Sequence, residues 1–248
     1  MKLLEIKNLT KSFDKKRHAV NHVSFSIEEG ECLGLVGESG SGKSTIAQLI
    51  TGIHSPDMGE IYLEEQPIHQ LRGKAMRQIY TRVQMVFQNP IPSFDPRKTI
   101  GYGITESLRN NGIRKELRQK RLKTLLQAVE LQEKLADRYP HELSGGQCQR
   151  AAIARALAVR PKLLICDEAT SALDVTVQMQ IMKLLKRLQK EYHLTILFIS
   201  HDLAVVNQMC QNLIILRNGT IVESGDTRQI IEHPEEIYTR MLLEAVNL

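Results

Sequence analysis

One run constrains this chain more than any other. "CLGLVGESGSGKSTIAQLI" is a short continuous apolar stretch, a glycine-rich stretch, and then apolar residues at helical spacing. Gly37-Glu38-Ser39-Gly40-Ser41-Gly42-Lys43-Ser44 fits G-x-x-x-x-G-K-[ST] in full, and strand, loop, helix is the order such a motif requires. The leading apolar run is the kind used by a sheet covered on both faces, so the motif commits the chain to an α/β fold. Its glycines let backbone N–H groups turn inward around a phosphate where a Cβ would obstruct the approach. The following helix aims its N-terminal dipole at the same anion. Lys43 is expected to reach phosphate oxygens, the Ser44 hydroxyl to ligate Mg²⁺, and Thr45 to complete the nucleotide-binding run.

A second element belongs with it. "LLICDE" is an apolar strand ending in Asp167 and Glu168, and α/β sheets bind ligands at the C-terminal ends of their strands. Asp167 is expected to hold Mg²⁺, directly or through water. Glu168 is placed to deprotonate the water that attacks a γ-phosphate. Gln88 ends "VQMVFQ" and His201 follows "TILFIS", two more polar residues at strand ends. The remaining histidines form no cluster. The four cysteines are scattered with no CxxC pair, which reads as reduced, mostly buried thiols rather than a metal site.

The rest of the chain organises around this core. "LLEIKNL" and "NHVSFSI" read as strands on either side of the polar "TKSFDKKRH". From Asn89 to Pro161 the character turns helical. The segment Ile113 to Leu135 reads as a charged helix whose Leu122, Leu125, Leu126 and Val129 form one apolar stripe. After it come strand "KLLICD", helix "TVQMQIMKLLKRLQKEY", strand "TILFIS" and helix "DLAVVNQMC". "LIILRNGTIVES" reads as a hairpin around Asn218-Gly219, and "PEEIYTRMLLEAV" as a final helix. The expectation is one domain over 1–248, with 1–88 and 162–248 as the α/β nucleotide-binding core and 89–161 as an inserted helical subdomain.

"HELSGGQCQR" then poses a question, because a serine and a glycine pair opening a helix make a second anion site far from the first. In their order and along essentially the whole chain, these motifs resemble the ATP-binding cassette (ABC) family, the nucleotide-hydrolysing subunits of ABC transporters. "GESGSGKST" resembles the Walker A loop, "VFQNP" the Q-loop, "LLICDE" the Walker B strand and "SHD" the switch histidine. "SALD" (Ser171 to Asp174) resembles the D-loop, which places Asp174 among the nucleotide-contacting residues. Phe13 stands where the family puts a ring, more commonly tyrosine, against adenine. "LSGGQ" resembles the family signature, and the resemblance implies that Ser144, Gly145, Gly146 and Gln147 face the ATP held by a second cassette packed head to tail. It also implies a P-loop NTPase (RecA-like) core with an N-terminal antiparallel β subdomain. His201 is implied to bond the γ-phosphate and Gln88 to contact Mg²⁺ or the attacking water.

"MVFQNPIPSFDPR", "CDEATSALDVTVQ" and "HPEEIYTRMLL" resemble the peptide and nickel uptake branch, although Glu235-Glu236-Ile237 is an insertion there. The implied assembly is a second cassette, identical or homologous, two permeases and an extracellular solute-binding protein. A soluble ABC ATPase acting on ribosomes or DNA is the alternative. Trp is absent and aromatics are 4%, so no stacking platform for single-stranded nucleic acid is present. The basic "RKELRQKR" has no interleaved aromatics and reads as a solvated helix face rather than a nucleic-acid site. The net charge of +5 serves solubility or an anionic membrane face. No run is long and apolar enough to span a membrane. The first residues lack the apolar stretch and cleavage site of a signal peptide, so a cytoplasmic location is expected, and the resemblance implies a peripheral place on the cytoplasmic face of the cell membrane.

Overall fold

The computed structural model describes residues 1–14 and 18–245. Residues 15–17 of the polar connector and Val246 of the last expected helix lie outside them. The chain opens with β1 (Lys2–Ser12) and β2 (His18–Glu28), an antiparallel pair. β3 (Cys32–Val36) follows, buried at every residue, and runs through the glycine-rich loop into α1 (Lys43–Ile50). β4 (Met58–Leu63) returns to pair with β1, and the two-residue β5 (Gln66–Pro67) completes a sheet of order β2-β1-β4-β5. α2 (Gly73–Arg82) leads into β6 (Val83–Phe87).

Helices α3 (Ile100–Ile104), α4 (Glu106–Asn110), α5 (Lys115–Ala128) and α6 (Gly145–Leu157) stand between β6 and β7 (Leu163–Asp167). α7 (Val175–Tyr192), β8 (Thr195–Ser200) and α8 (Leu203–Met209) continue the alternation. β9 (Asn212–Arg217) and β10 (Thr220–Asp226) make the hairpin, with Asn218 and Gly219 both at positive φ as a type I′ turn requires. α9 (Thr227–Glu232) and α10 (Ile237–Ala245) close the chain.

The second sheet has the order β10-β9-β3-β8-β7-β6, and β9, β3, β8, β7 and β6 are mutually parallel. Its strands alternate between two cores, as the period of two dictates. Cys32, Leu164, Cys166, Ile196 and Phe198 face the cluster built by α5, α6, α7 and α8. Leu33, Leu35, Leu163, Ile165, Leu197 and Ile199 face the cluster shared with α1, α2 and the antiparallel sheet. All four cysteines are buried and free, and the Cys32 and Cys210 sulfurs lie 3.3 Å apart. Among the described residues no helix is long and apolar enough to cross a membrane.

Two helix boundaries differ from the periodicity. The helix expected to Leu135 stops at Ala128, because Glu130 takes a left-handed φ of 57° and the Leu131 N–H reaches back to Leu126 O at 2.8 Å. That is a Schellman-type end made without glycine. Glu130 also pairs with Arg150 of α6 at 2.8 Å and with Arg187 of α7 at 3.0 Å, so its side chain joins two helices there. The final helix starts at Ile237 rather than Pro234, because Glu223 accepts from the N–H groups of Glu235 and Glu236.

Candidate functional site

Four parallel strands deliver their polar ends to one edge. Val36, Asp167, Ser200 and Phe87 are the last residues of β3, β7, β8 and β6, and pairing holds them in near register. The residues that follow are therefore neighbours: Gly37, Glu168, His201 and Gln88. Gly37 through Gly42 form the loop after β3. A Cβ at Gly37 would fall 2.1 Å from Leu216 O, and one at Gly42 (φ 110°) would fall 2.3 Å from Ala19 O, so any side chain at either position collides with backbone. The loop arches over a cavity of about 170 Å³ lined by Ala19, Ser39, Gly40, Gly42, Lys43, Ser44, Thr45 and Glu168.

Lys43 is buried and turns back under the arch. Its Nζ donates to Gly37 O at 2.6 Å and to Glu38 O at 2.8 Å, with the Ser41 hydroxyl at 3.5 Å. Burial lowers its pKa, and Glu168, Asp167 and Glu38 oppose that shift. The Ser44 hydroxyl donates to Asp167 Oδ1 at 3.1 Å, joining the two motifs expected to share a metal. Burial pushes the Asp167 carboxyl above its ordinary range, and neighbouring Glu168 adds to this, while Ser44 and Lys43 pull it down. Among the described residues no group of three or more His, Cys, Asp or Glu side chains is placed to hold a metal. A cation at Ser44 and Asp167 would thus need oxygens from water and phosphate, which is how Mg²⁺ is commonly held.

Glu168 has a left-handed φ of 48°, a conformation costing a non-glycine residue about 1–3 kcal/mol. Its N–H donates to Ile199 O at 3.0 Å, which fixes the turn against β8. Its carboxylate lies 3.5 Å from His201 Nδ1 on one side and accepts from the Ser171 hydroxyl at 3.4 Å on the other. Ser171 also accepts from Gln88 Nε2 at 3.0 Å. Gln88, Ser171, Glu168 and His201 thus form one chain of polar contacts along the sheet edge. Asp202 helps set His201 by capping α8, accepting from the N–H groups of Ala204 and Val205.

Other expected residues stand apart from this cluster. Phe13 is exposed beyond β1, 5.0 Å edge-on from His54, and precedes β2, whose Ala19 lines the cavity. Ser144 and Gln147 form a capping box at the start of α6, with Ser144 Oγ accepting from Gln147 N at 3.3 Å and Gln147 Oε1 from Ser144 N at 3.0 Å. Gly145 and Gly146 follow, Gly146 so close to α7 that a Cβ would lie 2.7 Å from Val177 Cγ1. Asp174 caps α7 beside them, accepting from Val177 N at 2.9 Å. Among the described residues, none from Ser144 to Gln147 lines the cavity over Lys43.

The profile of the ABC transporter family matches residues 20–171. The chain belongs to the ABC transporter family. GsiA of Pectobacterium atrosepticum, a glutathione import ATP-binding protein, is 44% identical over 255 residues, covering 98% of this ABC chain and 41% of GsiA. OppF of Streptococcus mutans, an oligopeptide transport ATP-binding protein, is 43% identical over 251 residues, covering 99% of this chain and 82% of OppF. The ABC chain thus spans less than half the length of GsiA. Among solved structures, cbiO1 from Clostridium perfringens, part of the ABC transporter complex cbiONQ, superposes with a TM-score of 0.86 at 29% identity, covering 99% of this chain and 94% of cbiO1. The ATP-binding cassette MJ0796, a dimer bound to ADP and Pi, superposes with a TM-score of 0.81 at 32% identity, covering 91% of this chain and 99% of that one.

In the sequence Ser171 is marked only as the start of "SALD", and nothing there marks Ala19. The one local signal for Ser171 is its position three residues after Glu168, which closes a turn (Ser171 N to Glu168 O, 3.2 Å).

Proposed function

We propose that this chain is the ATP-hydrolysing subunit of an ABC importer, energising uptake of peptides, with nickel or another metal complex as the alternative cargo. The observation that carries the reading is the convergence of Lys43, Ser44, Asp167, Glu168, Gln88 and His201 on one edge of four parallel strands. The tight glycine loop, in which a Cβ at Gly37 or Gly42 would strike the backbone oxygen of Leu216 or Ala19, curls as a phosphate-binding backbone does. The paired oxygens of Ser44 and Asp167 are hard donors of the type Mg²⁺ takes. Bound there, Mg²⁺ would neutralise charge on the phosphates.

The chain's own groups then divide the work of phosphoryl transfer, which is mainly positioning and charge stabilisation. Lys43, held under the arch by Gly37 and Glu38, presents its ammonium to the β- and γ-phosphates. Glu168 accepts the proton of the attacking water, held between Ser171 and His201. His201 would bond the γ-phosphate, and Gln88, which donates to the Ser171 hydroxyl at 3.0 Å, would contact Mg²⁺ or that water. Phe13 packs against adenine. Ser144, Gly145, Gly146 and Gln147, apart from their own chain's cavity, act with Asp174 at the ATP of a second cassette, identical or homologous. A nucleotide touching both halves favours their closed pairing by its differential affinity for that state, and hydrolysis removes the preference.

Residues 1–88 and 162–248 serve as the nucleotide-binding core and 89–161 as the helical subdomain that carries the signature. The remaining partners are two permeases and, through them, an extracellular solute-binding protein, with no nucleic acid; the site of action is the cytoplasmic face of the membrane. Gln88 and the loop that follows it are the expected contact with the permease's cytoplasmic helices, relaying hydrolysis to the pore. Peptide cargo is favoured because GsiA is named for glutathione, a tripeptide, and OppF for oligopeptides. Mild-detergent recovery of the chain from its native cells tests the reading. Two permeases and a second cassette are expected with it, and ribosomal or DNA-repair proteins would overturn it.

A further inference from the structure

The peptide unit joining Gly37 to Glu38 is gripped on both edges. Its carbonyl accepts from Lys43 Nζ at 2.6 Å. Its N–H, on the opposite edge of the same planar trans unit, donates to the Tyr238 hydroxyl at 3.2 Å. Tyr238 comes from α10, 200 residues further along the chain, and is only 4% exposed. The Arg217 guanidinium sits over its ring, 4.7 Å from the centroid. α10 is anchored in turn. Glu223 of β10 accepts from Glu235 N at 3.0 Å, from Glu236 N at 3.3 Å and from the Thr239 hydroxyl, satisfying donors at the helix start. Leu243 buries the far end in the core.

We infer that Tyr238 is a positioning residue for nucleotide binding. Its hydroxyl sets the rotation of the Gly37–Glu38 peptide plane, which keeps the Gly37 carbonyl aimed at Lys43 and holds the ammonium beneath the phosphate loop. This rests on the nucleotide-binding reading above. Without the hydroxyl the plane is free to turn, and Lys43 loses the fixed direction of its shortest partner. Glu38 is exposed, so water can take its N–H and the fold survives. The loss falls on preorganisation of the loop, which is an affinity effect.

Tyr238→Phe removes the hydroxyl and keeps the ring, its burial and the Arg217 contact. A fluorescent ATP analogue with Mg²⁺, titrated into the full chain well below its melting temperature, reads the Kd. ADP competition extends the reading to the diphosphate. The expected result is a Kd raised about 2- to 10-fold for both nucleotides, the range of one hydrogen bond. In the assembled complex KM should rise by a comparable factor while kcat stays within about two-fold. Glu223→Ala, which loosens the start of α10, should shift Kd in the same direction. Met241→Ala, on the exposed side of the same helix, should leave Kd unchanged. A Y238F chain with wild-type Kd overturns the inference, as does a loss that M241A matches. A wild-type chain that binds no nucleotide overturns the reading beneath it as well.

Discussion

Removing the Ser171 hydroxyl should slow ATP turnover without weakening ATP binding. That hydroxyl accepts from Gln88 Nε2 at 3.0 Å and donates towards Glu168, whose backbone oxygen is at 3.0 Å and carboxylate at 3.4 Å. Ser171→Ala deletes both links and adds no bulk. A net hydrogen bond contributes about 0.5–1.5 kcal/mol, and more when one partner is charged. Ser171 is half-buried, so water recovers part of the loss, leaving about 1–2 kcal/mol of misplacement. At about 1.4 kcal/mol per tenfold, kcat should fall roughly 5- to 30-fold. The Ser171 links run to Glu168 and Gln88, the groups assigned to the attacking water, so the ATP Kd should be unchanged. Phosphate release at saturating ATP, measured on the complex recovered from cells and paired with equilibrium binding, separates the two quantities. Ser171→Thr, which restores the hydroxyl, should recover most of the rate. Wild-type kcat in S171A would refute the positioning argument, and so would an affinity loss as large as the rate loss.

Gly146→Ala should destabilise the start of α6, because its Cβ would lie 2.7 Å from Val177 Cγ1. Overpacking of this kind costs about 1–3 kcal/mol, offset by up to about 1 kcal/mol from the better helix propensity of Ala. Val177→Ala in the double variant should restore most of the denaturant midpoint, and absence of rescue would rule out the steric cause. On the acid side, the Lys11 ammonium and the Ser12 N–H hold the Asp57 carboxyl below its usual range. With the folded pKa under the unfolded one, its stabilising contribution is full above about pH 4 and is lost as pH falls through the folded value. The melting-temperature gap between wild type and Asp57→Asn should therefore be larger at pH 7 than at pH 3, and a constant gap would contradict the assignment.

The glycine-rich loop between β3 and α1 was legible because all its information is local. Glycines, lysine and serine sit in one run, and the apolar strand before it announces the sheet. The strand-end residues Asp167, Glu168, Gln88 and His201 were legible for a related reason, since parallel strands gather their C-terminal ends wherever the chain places them. Ser171 and Tyr238 were not. The role of Ser171 depends on β6 lying beside β7, which brings Gln88 within reach. The Tyr238 hydroxyl meets Glu38 across 200 residues of sequence, and no periodicity encodes that contact. The end of α5 was misplaced because its left-handed residue is Glu130 instead of glycine. The ion pairs to Arg150 and Arg187 that accompany the glutamate are tertiary contacts.

The proposed reaction needs ATP held at Lys43, Ser44 and Asp167, and Glu168 as acceptor of the attacking water's proton. Steady-state phosphate release by the recovered complex, wild type against Glu168→Gln, with nucleotide affinity measured on the same samples, tests it most directly. The substitution keeps the size and shape of a side chain set between Ser171 and His201, so ATP affinity should hold. Mg²⁺-dependent turnover should fall by about 10²–10⁴-fold. Near-normal turnover in the variant would remove Glu168 from that role, and a wild-type complex that neither binds nor hydrolyses ATP would rule out an ATP site on this sheet edge.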